Sequence, residues 1–177
     1  MSSNDYAIRR ATADDARGIA EVHVASWRSA YRGLVADDVL DGLSVDRREE
    51  GWKISLTVHR ERAAVLVVEQ GERIAGFAAV GAPEANEDVD ASGKVGELYS
   101  IYLRPDAWGQ GMGKQLLEEA QNELRAAGFS EAVLWVVEGN ERSRRFYELA
   151  GWAVDGGRRT ECMPGLETPA VRYRRAL

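Results

Sequence analysis

The order of apolar and polar positions divides the chain into a helical first third and a strand-rich remainder. A short strand is predicted around Tyr6 to Arg9. Thr12, followed by Asp14 and Asp15, marks a helix N-cap. The helix after it carries Ile19, Val22, Ser26 and Ala30 along one face, with Val24, Trp27 and Tyr31 beside it. Two short helices are expected over Asp37 to Leu43 and about Asp46 to Val58, the second weakened by Gly51. Ala64 to Glu69 reads as a buried strand, Gln70 to Arg73 as a hairpin turn and Ile74 to Val80 as the return strand, with Gly76 marking a bulge. Gly81 to Gly93 is polar and rich in Gly and Ala, which predicts a loop.

The next strand runs from Glu97 to Leu103 and is ended by the turn chemistry of Pro105 and Asp106. Leu116, Ala120, Leu124 and Ala127 recur at spacings of three and four on an amphipathic helix closed by Gly128. Ala132 to Val137 is a strand, and Glu141 to Ala150 a helix closed by Gly151. Trp152 to Val154 begins a strand, Gly156 to Pro164 reads as a polar connection, and Thr168 to Tyr173 as the final strand. The order predicts an α+β fold with a mixed, mostly antiparallel sheet of about six to seven strands and helices on both faces. With 177 residues and no internal repeat, a single domain over 1–177 is expected.

Composition narrows the class. Apolar content of 45% and charged content of 29% are those of a globular protein, and no apolar run reaches the roughly 20 residues of a membrane helix. One cysteine, Cys162, excludes an intrachain disulfide and suits a reducing, cytoplasmic setting. The N-terminus lacks the basic start and apolar core of a secretory signal. A net charge of −6 argues against nucleic acid and suits a cationic or neutral substrate. His23 lies on an apolar helix face and reads as a packed histidine, while His59 sits among Arg60, Glu61 and Arg62 with no metal-ligand partners at useful spacing; no metal is expected.

The chemistry concentrates between Glu97 and Lys114. Strand, three alternate glycines (Gly109, Gly111, Gly113) and helix start make an anion site, because the first backbone N–H groups of a helix lack intrahelical partners and the dipole places positive charge there. Lys114 adds a cation. Trp108-Gly109-Gln110-Gly111-Met112-Gly113 and the later Asn140-Glu141-Arg142-Ser143-Arg144-Arg145-Phe146-Tyr147-Glu148-Leu149-Ala150-Gly151-Trp152 together resemble two signature segments of the GNAT superfamily of acetyl-CoA-dependent N-acetyltransferases. The first follows the family form Gln/Arg-x-x-Gly-x-Gly/Ala, except that Trp108 stands where the family has Gln or Arg; Gln110 is a candidate to replace the lost polar contact.

The resemblance implies acetyl-CoA as co-substrate. Ile101, Tyr102 and Leu103 match the strand whose backbone holds pantetheine, and Trp108 to Lys114, including Met112, match the loop and helix start that cradle the pyrophosphate. Asn140 matches a cofactor-contacting Asn, and Ser143 reads either as a second contact or as helix-end solvation. Tyr147 matches the tyrosine that protonates the departing thiolate, with packing as the other reading. Glu97 is either a base acting through water or an ordinary strand carboxylate; Tyr99, on the same face, could orient a water or the amine. Trp27 and Tyr31 read as core or as acceptor-pocket walls. With Trp52 and the acidic residues Glu84, Glu87, Asp88 and Asp90, they suggest an electronegative pocket. The implied activity is direct acetyl transfer in a ternary complex to a primary amine of a small molecule or peptide, cationic by this reading. A CoA-binding module without turnover is the alternative. Membrane and nucleic-acid partners are not expected, and a homodimer of the kind many relatives form stays open.

Overall fold

The structure is a computed structural model that describes residues 6–83, 92–163 and 166–177. Its strands are β1 (Tyr6–Arg10), β2 (Ala64–Gln70), β3 (Arg73–Gly81), β4 (Val95–Leu103), β5 (Glu131–Val137), β6 (Ala153–Met163) and β7 (Leu166–Ala176). They form one seven-stranded sheet in the order β1-β2-β3-β4-β5-β7-β6. Every neighbouring pair is antiparallel except β4 with β5. The helices are α1 (Ala16–Ala30), α2 (Asp37–Asp41), α3 (Val45–Thr57), α4 (Met112–Ala126) and α5 (Glu141–Leu149).

Alternation along the strands distributes the helices between the two faces. Leu66 and Val68 of β2 pack with Leu116, Leu117, Ala120 and Leu124 of α4, whereas Val67 between them packs with Ile19 and Val22 of α1. Trp52 and Leu56 of α3 join the second cluster, and Phe146 and Tyr147 of α5 the first. The start of α1 is held by Asp15, whose carboxylate accepts the Thr12 backbone N–H at 2.7 Å and pairs with Arg9 of β1 at 2.7 Å.

Two departures from the sequence pattern shape the site. Of the stretch expected as a polar connection, Gly156 to Pro164, residues 156–163 belong instead to an eleven-residue edge strand, β6, paired with β7 alone among the described residues, and Pro164 lies outside the described residues. An edge strand that faces solvent carries charged residues rather than an apolar run, so its pairing is invisible to hydrophobic periodicity. The bulge expected at Gly76 falls one residue earlier, where Ala75 is the extra residue between the Val68–Gly76 and Glu69–Ile74 pairs. A second bulge lies in β4: Leu98 pairs with Val80 and Ser100 with Ala79, leaving Tyr99 as the extra residue.

The parallel neighbours β4 and β5 pair only through Val95–Glu131, Gly96–Ala132 and Glu97–Val133. Beyond Glu97 they part, although β4 continues to Leu103 and β5 to Val137. The middle of the sheet is therefore split into a cleft.

Candidate active site

The split opens a cavity of about 850 Å³ lined by the far half of β4, the glycine loop, β5, α1, α5 and β6. One wall is backbone. The Arg104 N–H donates to Ala75 O at 2.8 Å, so by antiparallel alternation the N–H and C=O of Tyr102 also turn to β3, in register with Phe77. Those of Ile101 and Leu103 then face the cleft. The Leu103 carbonyl is already engaged, accepting from Ser26 Oγ at 2.8 Å and from Trp108 Nε1 at 3.0 Å. What remains on this edge is an unpaired strand segment of the kind that accepts an extended ligand as an added strand.

The cleft leads to the N-terminus of α4. Gly109 and Gly111 have φ of +77° and +83°, values that L side chains avoid, and a Cβ at either would meet no atom within 4 Å. The loop is thus both shaped by glycine and open above, leaving the first N–H groups of a fifteen-residue helix accessible to an anion. Met112 contributes backbone alone, since its side chain is buried in the core. Gln110 does not replace the missing Gln or Arg: its side chain folds back to donate to Asp106 O at 2.9 Å. Trp108 instead lies flat under Arg142, whose guanidinium carbon sits 3.5 Å from the ring centroid. A cation therefore stands at the loop mouth, carried by α5 and supported by the tryptophan. Arg142 is two residues past Asn140, and this role has no signal in the sequence until the two elements are seen to meet.

Asn140 caps α5, its Oδ1 accepting the Ser143 N–H at 3.1 Å. Asn140, Ser143 and Lys114 all line the cavity. Tyr147 is 8% exposed, edge-on to Phe146 at 5.2 Å and to Trp152 at 6.2 Å, and its hydroxyl forms no hydrogen bond among the described residues. Burial, and then the neighbouring Tyr102, push its phenol well above the usual tyrosine range, so it holds its proton at any working pH. Glu97, 5% exposed, lines the same cavity at the point where β4 and β5 part.

The opposite wall is aromatic. Trp27 and Tyr31 of α1 lie 5.1 Å apart, and His23 one turn earlier stacks on Tyr102 at 5.4 Å and 22°. Burial, and secondly Tyr102, raise the Tyr31 phenol. Burial also raises Tyr102. Tyr99 shares the face of Glu97, because a Cβ on Gly81, the β3 partner of Glu97, would come within 2.6 Å of its hydroxyl. That hydroxyl donates to the Ala82 carbonyl, turning the ring toward the end of β3. Trp52 is not a wall residue; it packs edge-on against Phe77 at 5.0 Å, beneath the cavity floor.

Of the described residues singled out from sequence for the site, all line this cavity except Trp52, Gln110 and Met112. Sequence reading set His23 aside and passed over Arg48, Trp135, Arg142, Arg159 and Glu161, which line it too. The acidic residues between 84 and 90 lie outside the described residues. The described lining carries four cations (Arg48, Lys114, Arg142, Arg159) against two carboxylates (Glu97, Glu161), so the electronegative character expected of the pocket is not found in it. Among the described residues no group of His, Cys, Asp and Glu could hold a metal ion, and no helix is long and apolar enough to cross a membrane.

Comparison with known proteins agrees with this geometry. Residues 17–152 match the model of the acetyltransferase (GNAT) family. The chain is 34% identical over 134 residues to an uncharacterized N-acetyltransferase, YuaI, of Bacillus subtilis, covering 75% of this chain and 72% of that one. In fold it resembles the PaiA N-acetyltransferase of Thermoplasma acidophilum, solved with coenzyme A, with a TM-score of 0.71, 20% identity and coverage of 97% and 99% of the two chains. It also resembles YncA of Salmonella typhimurium, solved with its cofactor acetyl-CoA, with a TM-score of 0.70, 21% identity and coverage of 98% and 94%. The chain belongs to the GNAT family of acetyltransferases.

Proposed function

We propose that this GNAT acetyltransferase moves the acetyl group of acetyl-CoA directly to a primary amine, with both substrates bound at once in a single domain. The observation that carries the reading is the cleft between β4 and β5, which joins an anion-binding helix start at one end to Glu97 at the other. Ile101 and Leu103 would hold the pantetheine arm through their cleft-facing backbone groups. The N–H groups at Gly111 to Lys114 would take the pyrophosphate, with Lys114 and Arg142 adding charge and Asn140 and Ser143 bordering the arm. The thioester is then presented to an amine arriving from the aromatic side.

Each chemical demand has a candidate residue. A protonated amine has no lone pair, so Glu97 accepts its proton, directly or through water. The tetrahedral oxyanion receives a backbone N–H near Leu103; the Leu103 carbonyl, bound twice, holds the adjoining peptide in place. Tyr147, held neutral by burial, donates a proton to the leaving thiolate. The nitrogen–carbon bond forms first, giving the tetrahedral oxyanion. The carbon–sulfur bond breaks as it collapses, and the second nitrogen proton returns to Tyr147 in place of the one given to sulfur, so no covalent enzyme intermediate is required. Cys162 lies on the exposed rim.

The test is thiol release from acetyl-CoA with a panel of amines, alongside calorimetric binding of acetyl-CoA. Acetylation whose initial rates give intersecting double-reciprocal plots supports the ternary complex. Parallel plots would point to an acetyl-enzyme. Tight acetyl-CoA binding with no amine acetylated would make the protein a CoA-binding module.

A further inference from the structure

The acceptor side of the cavity contains two polar groups that the proposed chemistry leaves unused. His23 is enclosed by Trp27, Trp52, Phe77 and Tyr102, at centroid distances of 5.4, 6.3, 5.9 and 5.4 Å. Both of its ring nitrogens are buried and meet no hydrogen-bond partner among the described residues. Burying a polar ring this way costs stability unless something satisfies it in use. Arg48, one helical turn before Trp52 on α3, reaches the same cavity with its guanidinium 5.5 Å from the Trp27 ring. It forms no ion pair and no side-chain hydrogen bond among the described residues. The other arginine on this side differs, since Arg159 is paired with Glu161 at 2.8 Å. Arg48 thus keeps its donors unused in a partly desolvated place, next to a neutral imidazole that can offer one N–H. Burial, and then the Arg48 charge, hold His23 down to about 3, so it cannot itself carry charge there.

Resting on the acetyltransferase reading above, we propose that the acceptor is an amine with a carboxylate on the same short skeleton, a compound of the amino-acid class. Arg48 holds the carboxylate by charge, and a ring N–H of His23 completes its hydrogen bonding. Trp27, Tyr31 and Tyr102 enclose the skeleton. The amine then points away from Arg48 along the sheet face that Tyr102 shares with Glu97, the face opposite α4. A polyamine would fit this arrangement poorly, because its second ammonium would face Arg48 without a screening carboxylate.

The experiment compares amino acids with their decarboxylated partners (alanine with ethylamine, phenylalanine with phenethylamine), and adds spermidine and O-phosphoethanolamine. Thiol release is measured for wild type, Arg48→Gln and Arg48→Lys, and calorimetry follows amino-acid binding to the CoA-loaded protein. Amino acids are expected to exceed their partners in kcat/KM by ~10-fold or more. Arg48→Gln should raise the amino-acid KM about 10- to 100-fold, what a charged hydrogen bond contributes, without moving the KM for acetyl-CoA. Arg48→Lys should restore part of the loss. Preference for ethylamine or spermidine, or an unchanged KM in Arg48→Gln, overturns the proposal while acetyl transfer stands. Preference for O-phosphoethanolamine overturns the carboxylate. Arg48-dependent amino-acid binding with no amine acetylated has the opposite meaning: this site stands and the catalytic reading fails.

Discussion

In the half of the cavity running from Ile101 to Lys114, recognition as proposed rests on backbone groups, and the residues are neighbours in the chain. In the half walled by α1, α3 and β6, recognition as proposed rests on side chains brought together from distant positions, among them His23, Trp27, Tyr31 and Arg48. The first half needs only an unpaired strand edge, a turn with positive φ and a helix start, all of which local sequence encodes. The second depends on which side chains converge, and that is decided by how α1 and α3 pack on β3 and β4. The contrast accounts for how a fold keeps one cofactor while accepting many substrates: the backbone half tolerates drift in side chains, and the side-chain half changes with each substitution.

The largest test of the contrast is Gly111→Glu. The Cβ finds open space, so the chain should fold with a cost of about 1–2 kcal/mol for the left-handed backbone. The carboxylate, however, would stand at the anion site, and acetyl-CoA affinity should fall beyond calorimetric detection. Gly111→Ala should retain most of it. Normal affinity in the Glu variant would remove the pyrophosphate from this loop.

Next in size is Tyr147→Phe, expected to lower kcat by roughly 100-fold, the scale of a lost general acid, with the acetyl-CoA KM little altered. Because the hydroxyl makes no hydrogen bond among the described residues, melting temperature should hold, separating chemistry from packing. If kcat is retained, Tyr147 is only a wall. Since burial raises its phenol, the wild-type rate should show no alkaline fall near pH 10 from this group.

Smaller effects are expected where a side chain supplements the backbone half. Arg142→Ala should weaken acetyl-CoA about 5-fold, with a shallower salt dependence than wild type, since it removes one cation resting on Trp108. Equal affinity and equal salt slope would mean that the stack serves α5 alone.

The smallest test concerns the side-chain half through pH. His23 is held to about 3 when folded and returns to about 6.5 when unfolded, so below pH 6.5 the unfolded chain binds a proton that the folded chain does not. Stability should therefore fall as pH drops from 6.5 toward 3, by up to about 1.4 kcal/mol per pH unit. Between pH 6.5 and 5, before carboxylates titrate, His23→Phe should flatten this slope in urea titrations. An equal slope in both proteins would place His23 in contact with water.

The elements of the fold were legible where one face is apolar and the other polar, as in α1 and α4, because burial leaves its period in the sequence, and in β2 as an unbroken apolar run buried on both faces. The edge strand β6 was not, since it hydrogen-bonds to a single neighbour and its residues suit solvent. Trp27, Tyr31 and Tyr147 were visible as candidates but ambiguous, because an aromatic residue reads the same in a core and in a cavity wall. Arg48 was silent for a different reason. A charged residue on a short helix looks solvated until the fold places Trp27 beside it.

By itself, then, the sequence determined the glycine turn, the helix that follows it, the Asn140–Trp152 segment and through them the family, because each is a local pattern whose physics is complete within a few residues. Only the tertiary structure decided that β4 and β5 part after Glu97, that Arg142 rests on Trp108, and that His23 and Arg48 line one cavity. These follow from strand register and helix packing, which depend on contacts between residues far apart in the chain.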